Sequence, residues 1–251
     1  MASIKLKTVD TRAPKKLNKE STKKETQKLK FKIEELQNLL YAEGKHAMLV
    51  VLQGMDASGK DGTIRNVFGA ANPMGCRVVA FKKPTELEMK HDFLWRVHSQ
   101  VPEKGMIHIF NRSHYEDVLI QRVHNWVDAK TIKQRFAHIN NFEKLLVENN
   151  TVVIKFYLHI SKEEQLGRLQ ERMSDPAKMW KYNEQDLQER EEWDSYMKAY
   201  EDVFANCEGA AKWQVIPADQ NWYKEYLIAA RLVEELEALK MKFPGLKPAN
   251  S

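Results

Sequence analysis

The sequence predicts a three-layer α/β/α fold built on a central five-stranded parallel sheet. Short apolar segments alternate with longer segments of helical periodicity, which is typical of a parallel sheet with helices on both faces. The strand candidates cover residues 48–53, 77–81, 106–110, 152–159 and 214–217. Ligands of such sheets bind at the carboxyl ends of the strands, so the loops after residues 53, 81 and 110 should converge on one site.

The helical segments follow from the spacing of apolar residues. The first covers residues 21–43, where Leu29, Ile33, Leu36 and Leu40 form one stripe and Gly44 provides a stop signal. Capping boxes at 85–88 and 161–164 mark two further helix starts. The remaining helices are predicted over 60–70, 86–101, 114–124, 131–148, 162–173, 186–205 and 222–241.

The domain organisation is predicted to be simple. Residues 1–20 are rich in lysine and lack apolar periodicity, which indicates a flexible basic N-terminal arm. Residues 21–251 then form a single domain. Within it, residues 172–190 are unusual because Pro176 breaks a helix and is followed by cations interleaved with aromatic rings. This segment is either a mobile helical lid, carried by Arg172, Lys178, Trp180 and Lys181, or an ordinary connection between helices.

Composition restricts the possible environment and partners. The net charge of +5 favours a polyanionic ligand, although many basic residues also occur on ordinary solvated surfaces. Cys76 and Cys207 are the two cysteines, and their separation matches no metal or redox spacing. The chain shows neither the apolar core of a signal peptide nor an apolar run near the ~18 residues of a membrane span. A cytoplasmic protein without a membrane partner is therefore expected.

A glycine-rich turn after the first strand candidate carries the strongest functional signal. Residues 54–60 read GMDASGK, the GxxxxGK spacing in which loop N–H groups, a lysine and the next helix bind phosphate. Asp61 replaces the Ser or Thr that usually holds Mg²⁺, and Asp56 adds an acid inside the loop. The predicted phosphate-binding residues of this P-loop are Gly54, Ala57, Ser58, Gly59, Lys60, Asp61, Gly62, Thr63 and Arg65.

Charged residues also follow the other strand candidates. Glu116 and Asp117 are the only acids near the end of the third strand, where P-loop enzymes place the acid that holds a metal against the phosphates. One or both are predicted to bind Mg²⁺ together with Asp56. Alternatively, they are first-turn acids favoured by a helix dipole. The cations at the strand ends, which bind phosphate or are ordinary surface charges, are Lys82, Lys83 and Arg112.

In combination, these motifs resemble those of the type-2 polyphosphate kinases, a family of P-loop kinases. The resemblance covers residues 30–242. The family's GxDxxGKxGT motif is matched by Gly54, Asp56, Gly59, Lys60, Gly62 and Thr63. Its RSxY motif is matched by Arg112, Ser113 and Tyr115, and its DPxKxWK lid by Asp175, Pro176, Lys178, Trp180 and Lys181.

The resemblance implies a reversible, Mg²⁺-dependent phosphoryl transfer between inorganic polyphosphate and AMP, ADP or ATP. Members that only exchange ADP and ATP tend to carry Asn after RSxY. Glu116 at that position implies that both AMP and ADP, and possible guanine equivalents, are accepted. The implied catalytic residues are Asp56, Lys60, Arg112, Glu116 and Asp117, with the metal on Asp56 and Asp117. The family also implies a homodimer or homotetramer, for which the helix from Leu29 to Leu40 offers an interface.

Two other functions fit parts of the pattern. An ATP-dependent nucleoside monophosphate kinase would use the same loop with ATP as the phosphate donor. A nucleic-acid-binding ATPase would use the basic arm on a phosphate backbone, but the sequence contains no aromatic and basic single-strand motif and no separate binding domain. A nucleic-acid partner is therefore not expected.

Overall fold

The computed structural model describes residues 4–245. Five strands form one sheet in the order β2-β3-β1-β4-β5, and every neighbouring pair is parallel. The strands are β1 Ala47–Gln53, β2 Cys76–Ala80, β3 Ile107–Asn111, β4 Thr151–His159 and β5 Trp213–Pro217. The predicted five-stranded parallel sheet is confirmed. The central strand β1 is buried along its whole length, which explains its continuous apolar sequence.

Helices cover the sheet on both faces. They are α1 Lys19–Glu43, α2 Lys60–Phe68, α3 Trp95–His98, α4 Ile120–Val123, α5 Ala129–Glu148, α6 Lys162–Ser174, α7 Gln185–Glu191, α8 Trp193–Asn206 and α9 Asn221–Ala238. Helix α9 packs against α1, α2, β4 and β5. Tyr157 of β4 instead contacts α8, with its ring centroid 4.3 Å from that of Tyr200. None of the helices between residues 4 and 245 is long and apolar enough to cross a membrane.

The apolar stripe of α1 lies inside the domain. Ile33, Leu36 and Leu40 are buried, and the helix makes its most extensive packing with α9. Gly44 ends the helix in the left-handed conformation, with φ of +64°, as the stop signal predicted. Because this stripe is covered by α9, an interface between subunits would have to use other residues of α1, such as the exposed Phe31.

Two predicted helices are shorter than expected. Residues 86–101 contain only a 3₁₀ turn at Glu88–Lys90 and the single turn of α3. The capping box forms, since Glu88 accepts a hydrogen bond from the Thr85 N–H at 2.7 Å, but the Asp92 side chain then accepts from the Leu94 N–H and starts a new turn. Residues 114–124 likewise divide into a 3₁₀ turn at His114–Val118 and the short α4.

The N-terminal segment differs from the expected flexible arm. Leu6 is buried in the core, and its carbonyl oxygen lies 3.1 Å from Nε2 of His159. Further along, the Thr11 carbonyl accepts from the Asp219 N–H at 3.0 Å, and the Thr11 hydroxyl donates to the Asp219 carboxylate. These contacts involve single side chains and backbone groups, so no apolar period in the sequence reveals them.

Candidate active site

The P-loop connects β1 to α2 in a conformation that requires its glycines. Gly54 and Gly59 have φ of +150° and +96°, and Ala57 also adopts a positive φ, of +60°. A Cβ atom on Gly54 would lie 2.8 Å from the Leu158 carbonyl oxygen, so the loop passes close to β4. Positive φ is inexpensive for glycine and costs about 1 kcal/mol for alanine. The phosphate-binding turn therefore contains a strained backbone conformation at Ala57.

Lys60 begins α2 and points back across the loop. Its ammonium group is buried and donates to the carbonyl oxygens of Gly54 at 2.7 Å and Met55 at 3.2 Å. Burial and, to a smaller extent, the neighbouring Arg112 guanidinium lower the pKa of Lys60 to about 8, although the carboxylates of the site oppose this change. The Lys60 ammonium group therefore lies in the loop beside the Arg112 guanidinium, at the position where an anion would bind.

Arg112 brings two of the predicted acids together. It follows β3 with a positive φ of +61°, and its guanidinium lies 2.5 Å from Asp56 and 3.4 Å from Glu116. The carboxylate of Glu116 raises the pKa of Arg112 further above its usual range, burial opposes that change, and Asp56 supports it. Asp56, Lys60, Arg112 and Glu116 therefore form one cluster at the carboxyl edge of the sheet.

Asp117 has a different environment from the one predicted for a metal ligand. Its buried carboxylate accepts from Gln121 at 2.5 Å and lies 3.8 Å and 3.9 Å from Arg96 and Arg135. Burial raises the pKa of Asp117 to about 6, although both arginines lower it. The 3₁₀ turn directs Glu116 towards Arg112 and Asp117 towards the two other arginines. Asp117 therefore does not belong to the cluster that Arg112 forms with Asp56.

The turn that carries Glu116 is fixed by buried hydrogen bonds. The Ser113 hydroxyl accepts from the Tyr115 N–H at 3.2 Å and from the Gln53 side chain at 3.1 Å, which links the turn to the end of β1. The Tyr115 hydroxyl donates to Glu143 at 2.7 Å. The RSxY residues other than Arg112 therefore support the turn instead of facing the P-loop.

Other predicted site residues differ in their contacts. Asp61 accepts from Asn111 at 2.8 Å and lies 3.5 Å from Lys181 of the predicted lid, while Gly62 lies next to it in α2. The hydroxyls of Ser58 and Thr63 are buried without a hydrogen-bond partner among the described residues. Lys82 and Lys83 are exposed shortly after β2, and the side chain of Arg65 donates to that of Asn66 at 3.4 Å.

The predicted lid consists of α6's end, a 3₁₀ turn at Met179–Lys181 and α7. Arg172 pairs with Asp186 at 2.7 Å, and Lys178 pairs with Glu171 at 2.5 Å. Trp180 is 77% exposed. Of the four lid residues predicted, only Lys181 reaches the P-loop helix in this structure.

Sequence analysis missed a carboxylate and two tyrosines near the cluster. Burial raises the pKa of Asp186, and the charge of Asp56 raises it further, which places Asp186 within the field of the P-loop acid. Burial and the charge of Glu116 similarly raise the pKa of Tyr200, whose hydroxyl lies 3.4 Å from Gln53. Tyr196 lies one turn earlier on α8 and donates to Glu189. The spacing of four residues between the tyrosines was the available signal.

Comparisons with known proteins agree with this architecture. The sequence profile of the polyphosphate kinase 2 family matches residues 16–244. The AMP/ADP-polyphosphate phosphotransferase of Meiothermus ruber is 52% identical over 88% of this chain and 84% of its own length. The ADP-polyphosphate phosphotransferase of Rhodopseudomonas palustris is 41% identical over 87% of this chain and 80% of its own.

A solved structure gives the same result for the fold. The crystal structure of polyphosphate kinase 2 from Arthrobacter aurescens superposes with a TM-score of 0.95 at 41% identity, over 99% of this chain and 90% of that one. The family profile and the relatives both cover the P-loop, the Arg112 turn and the predicted lid. The chain belongs to the polyphosphate kinase 2 family.

Proposed function

We propose that this protein transfers a phosphoryl group from inorganic polyphosphate to AMP and ADP in a reversible, Mg²⁺-dependent reaction. The observation that carries the proposal is the cluster at the carboxyl edge of the sheet, where Arg112 joins Asp56 to Glu116 beside Lys60. A relative that is 52% identical is named an AMP/ADP-polyphosphate phosphotransferase, which supports the same donor and acceptors here.

Phosphoryl transfer needs alignment and charge neutralisation more than covalent help from the protein. The N–H groups of the P-loop and of the first turn of α2 bind phosphate oxygens of the donor. Lys60 moves from its carbonyl partners onto the phosphates, and Arg112 holds the transferring group in line with the acceptor. Lys82, Lys83 and Arg65 continue the positive surface along which a polyphosphate chain extends.

The carboxylates of the cluster fit a magnesium ion. Mg²⁺ takes one or two carboxylates, retains several waters and uses phosphate oxygens for the remaining positions. Asp56 and Glu116 are only partly exposed and both face Arg112, whereas residues 4–245 contain no group of three metal-ligating side chains. We assign the ion to Asp56, with Glu116 beside it. When bound, it neutralises charge on the phosphates.

Acceptor choice and closure are assigned to the surrounding residues. Glu116 favours AMP alongside ADP because it stands where ADP-specific members carry Asn. Arg172, Lys178, Trp180 and Lys181 close over the bound polyanion and exclude water. Asp117 holds the turn through Arg96 and Arg135, as its contacts support.

The proposal extends to environment and assembly. Cys76 and Cys207 are both free thiols, which supports a reducing compartment such as the cytoplasm, where ADP and ATP synthesis would take place. A homodimer or homotetramer is supported by exposed apolar side chains close together in sequence, at Leu87, Met89 and Trp95.

The deciding experiment supplies AMP, Mg²⁺ and long-chain polyphosphate to the purified protein without ATP. ADP and then ATP should form, and their formation should stop when Mg²⁺ is chelated. If neither nucleotide forms, the proposed donor is wrong. If AMP is phosphorylated only when ATP replaces polyphosphate, the protein is instead a nucleoside monophosphate kinase.

A further inference from the structure

All six carbonyl oxygens of the P-loop, from residue 54 to residue 59, accept a hydrogen bond. The first two receive them from Lys60. The next four receive them from outside the loop: Gln165 donates to Asp56 at 3.0 Å and Arg168 to Ala57 at 3.1 Å. Lys224 lies 3.3 Å and 3.5 Å from the carbonyl oxygens of residues 58 and 59.

The direction of these carbonyl groups determines what the loop offers to a ligand. In a trans peptide the N–H and C=O groups point to opposite sides. A loop whose carbonyl oxygens are held on its outer side, as those of residues 56–59 are here, therefore turns the N–H groups of those peptides inward, where they form the concave anion site of a nest. Without the outer donors, the carbonyl groups of Asp56, Ala57 and Ser58 would lack partners, whereas that of Gly59 would keep the Thr63 N–H at 2.9 Å, and this part of the loop would rotate to find new donors.

The outer donors are themselves firmly held. Arg168 of α6 donates to the carbonyl oxygens of Ala218 at 2.8 Å and Asp219 at 2.9 Å, and its Nε donates to Glu164 at 3.0 Å. One guanidinium thus joins the P-loop to the loop that follows β5. Lys224 of α9 donates to Asn221 at 2.9 Å.

Lys224 is fully buried, and within residues 4–245 its hydrogen-bond partners are the neutral oxygens of Ser58, Gly59 and Asn221. A buried ammonium group without a carboxylate partner is costly to the fold. A Cβ atom on Gly59 would lie against the ammonium nitrogen, so the lysine and the loop are in close contact. A positive charge directly behind an anion site lowers the energy of a bound polyanion. This stabilisation would offset the cost of burying the Lys224 ammonium group.

We propose that Gln165, Arg168 and Lys224 form a carbonyl clamp, a set of positioning residues that fix the outer side of the P-loop and so preorganise its N–H groups for the phosphate donor. The clamp rests on the proposed function only for the identity of that donor. It acts through the loop backbone and touches neither the nucleotide nor the transferring group.

The test compares Lys224→Met and Arg168→Met with the wild-type protein in two measurements. The first is calorimetric binding of inorganic tripolyphosphate without nucleotide. Losing a charged hydrogen-bond donor should weaken this binding roughly 10-fold or more in each variant. The second is steady-state kinetics with AMP, where KM for polyphosphate should rise by about the same factor and KM for AMP by less than about 2-fold.

Two further variants make the result specific. Arg168→Lys retains one donor in place of several and should bind tripolyphosphate between the wild type and Arg168→Met. Arg231→Met removes a part-buried cation from the same helix as Lys224, where it pairs with Glu234, and should bind as the wild type does. Thermal unfolding of every variant establishes that the folded protein is measured, and if Lys224→Met is unfolded, Arg168→Lys and Lys224→Gln replace it.

The outcomes separate the clamp from the proposed function. Wild-type tripolyphosphate affinity in folded Lys224→Met and Arg168→Met would overturn the clamp, as would equal increases in both KM values. If the wild type binds tripolyphosphate and the variants do not, the clamp stands even where no phosphoryl transfer to AMP occurs. That last result would reject only the proposed function.

Discussion

Replacing Lys155, the one lysine in the five strands, by methionine should strongly destabilise the protein. Lys155 lies in the middle of β4 and is fully buried. Its ammonium group donates to Glu143 at 2.6 Å, to the Tyr115 hydroxyl at 2.9 Å and to the Cys207 carbonyl at 2.7 Å. The Tyr115 hydroxyl in turn donates to Glu143. The network joins β4 to α5 and to the turn that presents Arg112.

The size of the effect follows from what the substitution leaves behind. Methionine fills most of the volume of the lysine, so the cavity is small, but Glu143 becomes a buried carboxylate without its cation. Breaking one side of a buried pair costs about 3–5 kcal/mol. For a chain of this length, each kcal/mol lowers Tm by roughly 2–4 °C. We therefore expect Tm to fall by roughly 10 °C.

Thermal and urea unfolding followed by circular dichroism measure the changes in Tm and in the free energy of unfolding, and a double mutant tests their cause. Adding Glu143→Gln removes the stranded charge while retaining an acceptor for Tyr115, so Lys155→Met/Glu143→Gln should recover at least about half of the loss. Lys144→Met, which breaks an exposed pair with Glu148 on the same helix as Glu143, should change stability by less than about 0.5 kcal/mol. A single variant as stable as the wild type, or a double mutant no better than the single one, would refute the reasoning.

Three further predictions concern the active site. Asp56→Asn and Lys60→Ala should each abolish phosphoryl transfer while the circular dichroism spectrum is unchanged, and substantial activity in either would contradict the site assignment. Glu116→Asn should lower kcat/KM for AMP more than for ADP, whereas equal losses would show that Glu116 does not select the acceptor. Burial, with a smaller contribution from Arg168, lowers the pKa of Lys224 from 10.5 to about 7. Between these two pH values the unfolded chain therefore binds more protons at this lysine than the folded protein does. The stability of the wild type relative to Lys224→Met should therefore rise between about pH 7 and pH 10.5, and a pH-independent difference in urea midpoints would disprove this.

The elements with regular apolar patterns were predictable from the sequence. The β1 strand and the glycine-rich turn after it occur where the spacing placed them, and so do the other four strands within a few residues. These predictions succeed because a buried central strand and a loop with positive φ impose strong local requirements on residue type. The cluster of Asp56, Lys60 and Arg112 followed from the same reasoning, since parallel strands bring their carboxyl ends together.

Side-chain partners beyond the loop were less predictable. Glu116 and Asp117 are adjacent acids of the same chemistry, and only the 3₁₀ turn decides which one faces Arg112. The helix predicted at 86–101 is interrupted because the Asp92 side chain accepts a hydrogen bond from the Leu94 N–H, which competes with helix continuation. Lys224 reaches the P-loop across 166 residues of sequence and belongs to no short motif, so its role required the fold itself.

The two hydrogen bonds of Lys60 to the carbonyl oxygens of Gly54 and Met55 also compete with the binding of an anion in the loop. In the resting protein the lysine occupies its own loop, and any anion must first draw it away. This requirement reduces the apparent affinity of every anion by the same factor. On the proposed function, a long polyanion that also contacts Lys82 and Lys83 would offset this reduction, whereas orthophosphate, which reaches only the loop, would not.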